Sequence, residues 1–128
     1  MQICLASIFV DDQERALRFY TDTLGFHKAA DVRVGDYRWL TVSSGGDTEL
    51  LLEPNAFPPA REYQKALYSA GIPATVLFSD DLEAEVAQLK ERGVVFRQDK
   101  TDIGPVFVAT FEDGCGNLVR IAQPKRQA

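Results

Sequence analysis

Cysteine, histidine and clustered positive charge are all scarce in this sequence, and each shortage closes off a class of function. Cys4 and Cys115 are the two cysteines, far apart and without a Cys-x-x-Cys spacing. Neither a disulfide framework nor a zinc ribbon has anything to build from, and both read as reduced thiols. Net charge is -5, and no basic cluster is longer than the terminal Lys125-Arg126 pair. A phosphate-backbone binder needs a basic stripe, so nucleic acid is not an expected partner. No apolar stretch approaches membrane-spanning length, and Met1-Gln2-Ile3-Cys4-Leu5 lacks a basic n-region or a small-residue cleavage site. The expected location is the cytoplasm, with no membrane partner.

What is present is an ordinary globular composition, 45% apolar and 26% charged over 128 residues. That supports one domain with a real core, residues 1–128. Internal similarity at an offset of about 70 residues suits a fold made of two halves. Ile8-Phe9-Val10-Asp11-Asp12 is echoed by Leu77-Phe78-Ser79-Asp80-Asp81. In each, a short strand runs into aspartates able to cap a helix.

The first helix carries Ala16, Leu17, Tyr20 and Leu24 on one side, with Glu14 placed as a capping-box partner to Asp11 and Gly25 as its end. The second carries Leu82, Val86 and Leu89 and ends at Gly93, before a strand from Val94-Val95-Phe96. Three strands are expected after each helix, beginning near Phe26, Tyr37 and Thr48 and near Val94, Val106 and Leu118. Ser44-Gly45-Gly46-Asp47 and Gly114-Cys115-Gly116-Asn117 read as hairpin connections. The predicted class is α+β: a βαβββ module over 1–56, a connecting helix over 57–71 and a second βαβββ module over 72–124. Paired, the modules make a curved eight-stranded mixed sheet whose concave face forms a trough.

Val10-Asp11-Asp12, Arg15-Ala16-Leu17-Arg18-Phe19-Tyr20, Leu24-Gly25-Phe26, Leu51-Leu52-Glu53-Pro54 and Asp113-Gly114-Cys115-Gly116-Asn117 ahead of Gln123-Pro124 span nearly the whole chain. In order, spacing and duplication they resemble the vicinal oxygen chelate superfamily, which includes glyoxalase I, extradiol dioxygenases, methylmalonyl-CoA epimerase and bleomycin-resistance proteins. In its metal-binding members, the resemblance implies, a divalent cation is held by residues of the first and last strands of each half. It acts there as a Lewis acid. Counting back from the capping aspartates puts the first-strand positions at Leu5 and Ala74, and counting back from the strand-ending prolines puts the others at Leu50 and Arg120. Leu and Ala offer no donor atom and Arg repels a cation, so no metal and no other cofactor is expected. A one-residue slip would aim Glu49 inward in place of Leu50.

Alternation places Arg120 on the trough face with Leu118 and Ala122. There it can grip a carboxylate or phosphate, pair with a carboxylate of the protein itself, or point to solvent at the mouth. Leu40 and Val42 suit the helix-packed face, which turns Tyr37, Trp39 and Thr41 toward the trough. Trp39 can stack on a planar ligand, fill core or serve a subunit contact. Leu5, Ser7 and Phe9 face inward with Ala74, Val76 and Phe78, as the apolar floor of a pocket or of a filled core. Glu49 and Glu53 are expected as solvated strand ends rather than an acid–base pair. His27 should lie on the surface, Cys115 should have no nucleophilic role, and Cys4 should be a small buried group.

The expected ligand-binding residues are Arg120, Trp39, Phe78, Tyr37, Phe9, Ser7 and Leu50, with no catalytic residue assigned. The expected function is metal-free binding of a small hydrophobic or aromatic molecule, anionic where Arg120 grips it. The resemblance to the bleomycin-resistance branch implies a homodimer. The alternatives are an enzyme of the lactoylglutathione lyase or extradiol dioxygenase type with a non-standard site, and a structural or regulatory partner module.

Overall fold

Aspartates start two helices, as the duplicated strand-Asp-Asp pattern requires. Asp12 caps α1 (Gln13–Arg18) by accepting from the Arg15 amide at 3.0 Å. Asp81 caps α3 (Leu82–Glu91) by accepting from the Ala84 amide at 3.1 Å. Each satisfies one amide that the helix itself cannot. The cap in the first half is therefore Asp12, so Glu14 is no capping-box partner. It reaches Arg38 Nη1 instead, at 2.6 Å.

The computed structural model describes residues 1–125, so Arg126 of the terminal basic pair lies outside the described residues. Its residues divide into two compact units, Met1–Lys65 and Ala66 onward. Among the described residues there are eight strands, hydrogen-bonded as two mixed sheets of four.

In the first unit β1 (Leu5–Val10) runs parallel to β4 (Glu49–Pro54). Strand β3 (Tyr37–Ser43) lies antiparallel between β4 and the edge strand β2 (His27–Val34). After α1 the chain widens into a π-helical turn, Phe19–Thr23, in which the Leu24 amide reaches back to Phe19 O at 3.1 Å. Gly25, at φ 83°, then reverses the chain at no steric cost. Fully buried Tyr20 meets the Phe19 ring edge-on at 5.3 Å and stacks with Phe26 at 6.3 Å. One sheet face carries Ile8, Val10, Leu40, Val42 and Leu52, all buried. Gln13 ties α1 to this sheet by donating to Leu52 O at 2.9 Å and Arg38 O at 3.0 Å. Arg38 is buried and donates to both oxygens of Asp31, at 2.9 and 2.8 Å, which holds that carboxyl below its ordinary range.

The connecting helix α2 (Pro58–Ala70) falls where Pro54 to Pro59 break the preceding strand. Its buried Gln64 accepts from Asn55 Nδ2 at 2.7 Å and donates to Phe9 O at 3.0 Å.

In the second unit β5 (Thr75–Phe78) runs parallel to β8 (Leu118–Pro124), with β7 (Val106–Glu112) antiparallel to β8 and β6 (Phe96–Asp102) at the edge. The last strand of the first module was expected near Thr48 and begins at Glu49, and β6 was expected to begin near Val94 and begins at Phe96. Val94 is used up by the end of α3, where its amide bonds Leu89 O at 3.0 Å after Gly93. Leu82, Val86 and Leu89 are buried, as are Ala109, Phe111, Val119 and Ile121, which alternate along β7 and β8. At the β7–β8 hairpin, buried Asp113 accepts from the amides of Cys115 and Asn117 at 2.8 and 3.1 Å and from Asn117 Nδ2 at 2.9 Å. Gly114 and Gly116 supply the positive φ values this turn requires, 72° and 95°.

Candidate functional site

Strand alternation gives each sheet a second face, opposite the buried residues named above, and the expected site residues distribute between the two sheets. In the second unit the ladder sets Arg120 between Val76 of β5 and Thr110 of β7, and sets Ala122 between Phe78 and Val108. Thr110 in turn faces Gln98 of β6 and donates to its Oε1 at 3.1 Å. One row across the sheet therefore reads Val76, Arg120, Thr110, Gln98, as parity in the sequence predicts for the first two. Phe78 and Val76 are exposed, at 74% and 46%, while Thr110, Val108 and Ala122 are buried.

Arg120 is half-buried, and its Nε is fully buried without a hydrogen-bond partner. Among the described residues no carboxylate pairs with it. The carboxylate that the register puts on this face is Glu112, opposite Leu118, and it is engaged elsewhere. Tyr68 of α2 donates to Glu112 Oε1, and Arg97 Nη2 donates to the same oxygen at 3.2 Å and to the Tyr68 hydroxyl at 2.8 Å. Those bonds, Tyr68's first, hold Glu112 below its ordinary pKa, and the carboxylate raises that of Tyr68. The internal carboxylate pairing weighed for Arg120 is thus made by Arg97.

In the first unit the ladder pairs Leu5 with Glu49, Ser7 with Leu51 and Phe9 with Glu53. Thr41 lies opposite Leu51 and, by alternation, on the face of Tyr37 and Trp39. Ser7 is exposed and Phe9 half-buried; Trp39 is 36% exposed, and Thr41 and Leu51 are buried. The Thr41 hydroxyl donates to Glu49 Oε1 at 2.6 Å and Tyr37 to Glu53 Oε2 at 2.9 Å. Burial, and then the Glu53 carboxylate, push the Tyr37 pKa up. Both glutamates are half-buried and hydrogen-bonded rather than freely solvated strand ends.

Leu50 needs correcting. It pairs with Ala6 and with fully buried Val42, so it sits on the helix-packed face with Leu40 and Leu52. Leu51 occupies the register position corresponding to Arg120, because Ser7 faces Leu51 as Val76 faces Arg120. Cys4 is also corrected: it precedes β1 and is exposed, whereas Cys115 is buried. His27 opens β2 opposite Ser43 and is exposed. Gln98, Thr110 and the Thr41–Glu49 pair had not been singled out in the sequence. Alternation along β6 and β7 pointed to the first two, but the bulges in β6 obscured the parity.

The chemistry of the donor set does not fit a divalent cation at the positions that metal-binding relatives use. With the register corrected, those positions carry Leu5, Leu51, Ala74 and Arg120, three hydrocarbons and a fixed cation. Among the described residues no group of three or more His, Cys, Asp or Glu side chains could hold a metal ion. No helix among them is long and apolar enough to cross a membrane.

Comparison with known proteins agrees with the fold. The uncharacterized protein YurT of Bacillus subtilis (strain 168) is 51% identical over 126 residues, covering 96% of this chain and 99% of its own. TnmS3, an antibiotic binding protein from Streptomyces sp. CB03234, is 33% identical with a TM-score of 0.79, covering 98% of this chain and 97% of that one. UcmS2 is 27% identical with a TM-score of 0.82, covering 95% and 97%. The family model for the Glyoxalase/Bleomycin resistance protein/Dioxygenase superfamily matches residues 2–121, and the chain belongs to that superfamily.

Proposed function

We propose that this chain is a metal-free binder of a small hydrophobic or aromatic molecule, active as a cytoplasmic homodimer. The observation that carries the reading is the replacement of electron-pair donors by Leu5, Leu51, Ala74 and Arg120 on sheet faces that also present Phe9, Trp39, Val76 and Phe78. A surface of that kind rewards burial of a flat apolar ligand at roughly 25 cal/mol per Å², and among the described residues no three His, Cys, Asp or Glu side chains gather to hold a cation. The antibiotic-binding role given to TnmS3 supports the same reading.

Tyr37, Trp39, Ser7, Phe9, Phe78 and Arg120 are the residues proposed to contact the ligand. The test is a thermal-shift screen with planar aromatic compounds, followed by calorimetric titration of any that raise Tm. A saturable ligand should raise Tm with concentration, as linkage requires. A stoichiometric divalent metal in protein purified without chelators, or silence across the whole library, would sink the reading. Sedimentation equilibrium tests the dimer, and a purely monomeric species at micromolar concentration counts against that part.

A further inference from the structure

We propose that the second unit holds an anion site, in which Arg120 and Gln98 grip a carboxylate or enolate oxygen carried by the planar ligand. The inference rests on the binding reading above and specifies the polar end of that ligand.

The argument begins with what Arg120 lacks. Its Nε is buried without an acceptor, and no carboxylate pairs with its guanidinium among the described residues. A guanidinium in such surroundings is ordinarily satisfied by a carboxylate, because an unmade bond to a buried donor costs more than a made one returns. The carboxylate on its own sheet face, Glu112, is bonded to Arg97 and Tyr68. The protein therefore leaves Arg120 its donors while neutralising the neighbouring acid.

A second donor stands beside it. Gln98 and Arg120 are separated by Thr110, so their backbones lie about two strand spacings, roughly 10 Å, apart. Thr110 is short and turns its hydroxyl proton onto Gln98 Oε1 at 3.1 Å. That bond draws the amide over Thr110 and, with its oxygen engaged, leaves the amide NH2 as a donor. Two long side chains with N–H groups to offer thus stand on either side of a small residue, where both can reach one acceptor-only group. Beside them Val76 and Phe78 are exposed, placing apolar surface next to the charge. A cationic head would meet donors facing donors, and a neutral amide would bring one acceptor oxygen without the charge.

The test is isothermal titration of the full chain with 2-naphthoate and with 2-naphthamide, which share a ring system and differ in the charge of the head. The native protein should bind the carboxylate about tenfold or more tightly than the amide, the range for hydrogen bonds to a charged group. Arg120→Met should abolish that preference, and Gln98→Leu should reduce it several-fold. Equal affinity of the native protein for both probes would overturn the anion site and leave the apolar-binding reading intact. Retained preference in Arg120→Met would also overturn it. If neither probe nor any other planar aromatic binds the native chain, the binding reading fails and the anion site with it.

Discussion

Replacing Arg120 by methionine should make the ligand-free protein more stable. Methionine keeps an unbranched stem able to cover the same apolar neighbours, Val76, Leu118 and Ala122, and discards the guanidinium. What is removed is a buried Nε–H with no acceptor, a liability of roughly 1–3 kcal/mol. Lost dispersion contacts of the guanidinium plane offset part of the gain, leaving about 1–2 kcal/mol net. For a chain of 128 residues that corresponds to a rise in Tm on the order of 5 °C.

The assay is urea and thermal denaturation followed by far-ultraviolet circular dichroism. The sole tryptophan, Trp39, belongs to the first unit and would report the wrong half. If Arg120→Met instead lowered stability by about 0.5 kcal/mol or more, Arg120 would be making structural contacts of its own, and the case for an unsatisfied donor reserved for a ligand would fail.

Three further outcomes follow from the same contacts. Asp113→Ala strips acceptors from two hairpin amides and from Asn117 Nδ2, and should cost about 3 kcal/mol in a urea titration; an unchanged midpoint would refute the role assigned to that carboxylate. Asp81→Ala removes the cap of α3 and should cost about 1 kcal/mol, with Asp81→Asn recovering most of it. Glu112 is held below its ordinary value of 4.5 by Tyr68 and then Arg97, so its contribution is complete above that value and is lost as pH falls through the lowered pKa. Glu112→Gln should therefore flatten the acid limb of a stability–pH profile, and an unaltered slope below pH 4.5 would contradict the pairing.

The repeated Asp pair, the helix stripes and the glycine turns were legible because each is a local signal: Asp12, Asp81, Gly25 and Gly93 act within one turn of themselves. The parity of β8 was legible for the same reason, and Arg120 lies on the face that alternation assigns. Leu50 was misplaced because the strand-ending prolines are poor rulers. Val10 pairs with Pro54, but in the second unit Phe78 pairs with Ala122, which leaves Pro124 one residue beyond the corresponding point. One residue is enough to invert a strand. Glu14 was misread by a similar single step, since the cap is Asp12 rather than Asp11. The Glu112–Arg97–Tyr68 cluster could not be read at all, because it joins residues of α2, β6 and β7 that only tertiary structure brings together.

The contrast between the two thiols gives this molecule a built-in clock. Cys4 is exposed ahead of β1, while Cys115 is sealed within the glycine-flanked hairpin whose amides Asp113 holds. An alkylating reagent should therefore modify one sulfur promptly and the other only during excursions that unlatch the hairpin. Mass spectrometry of the second adduct then reads out the frequency of those excursions in the second unit, and any compound that seats on that sheet should slow it.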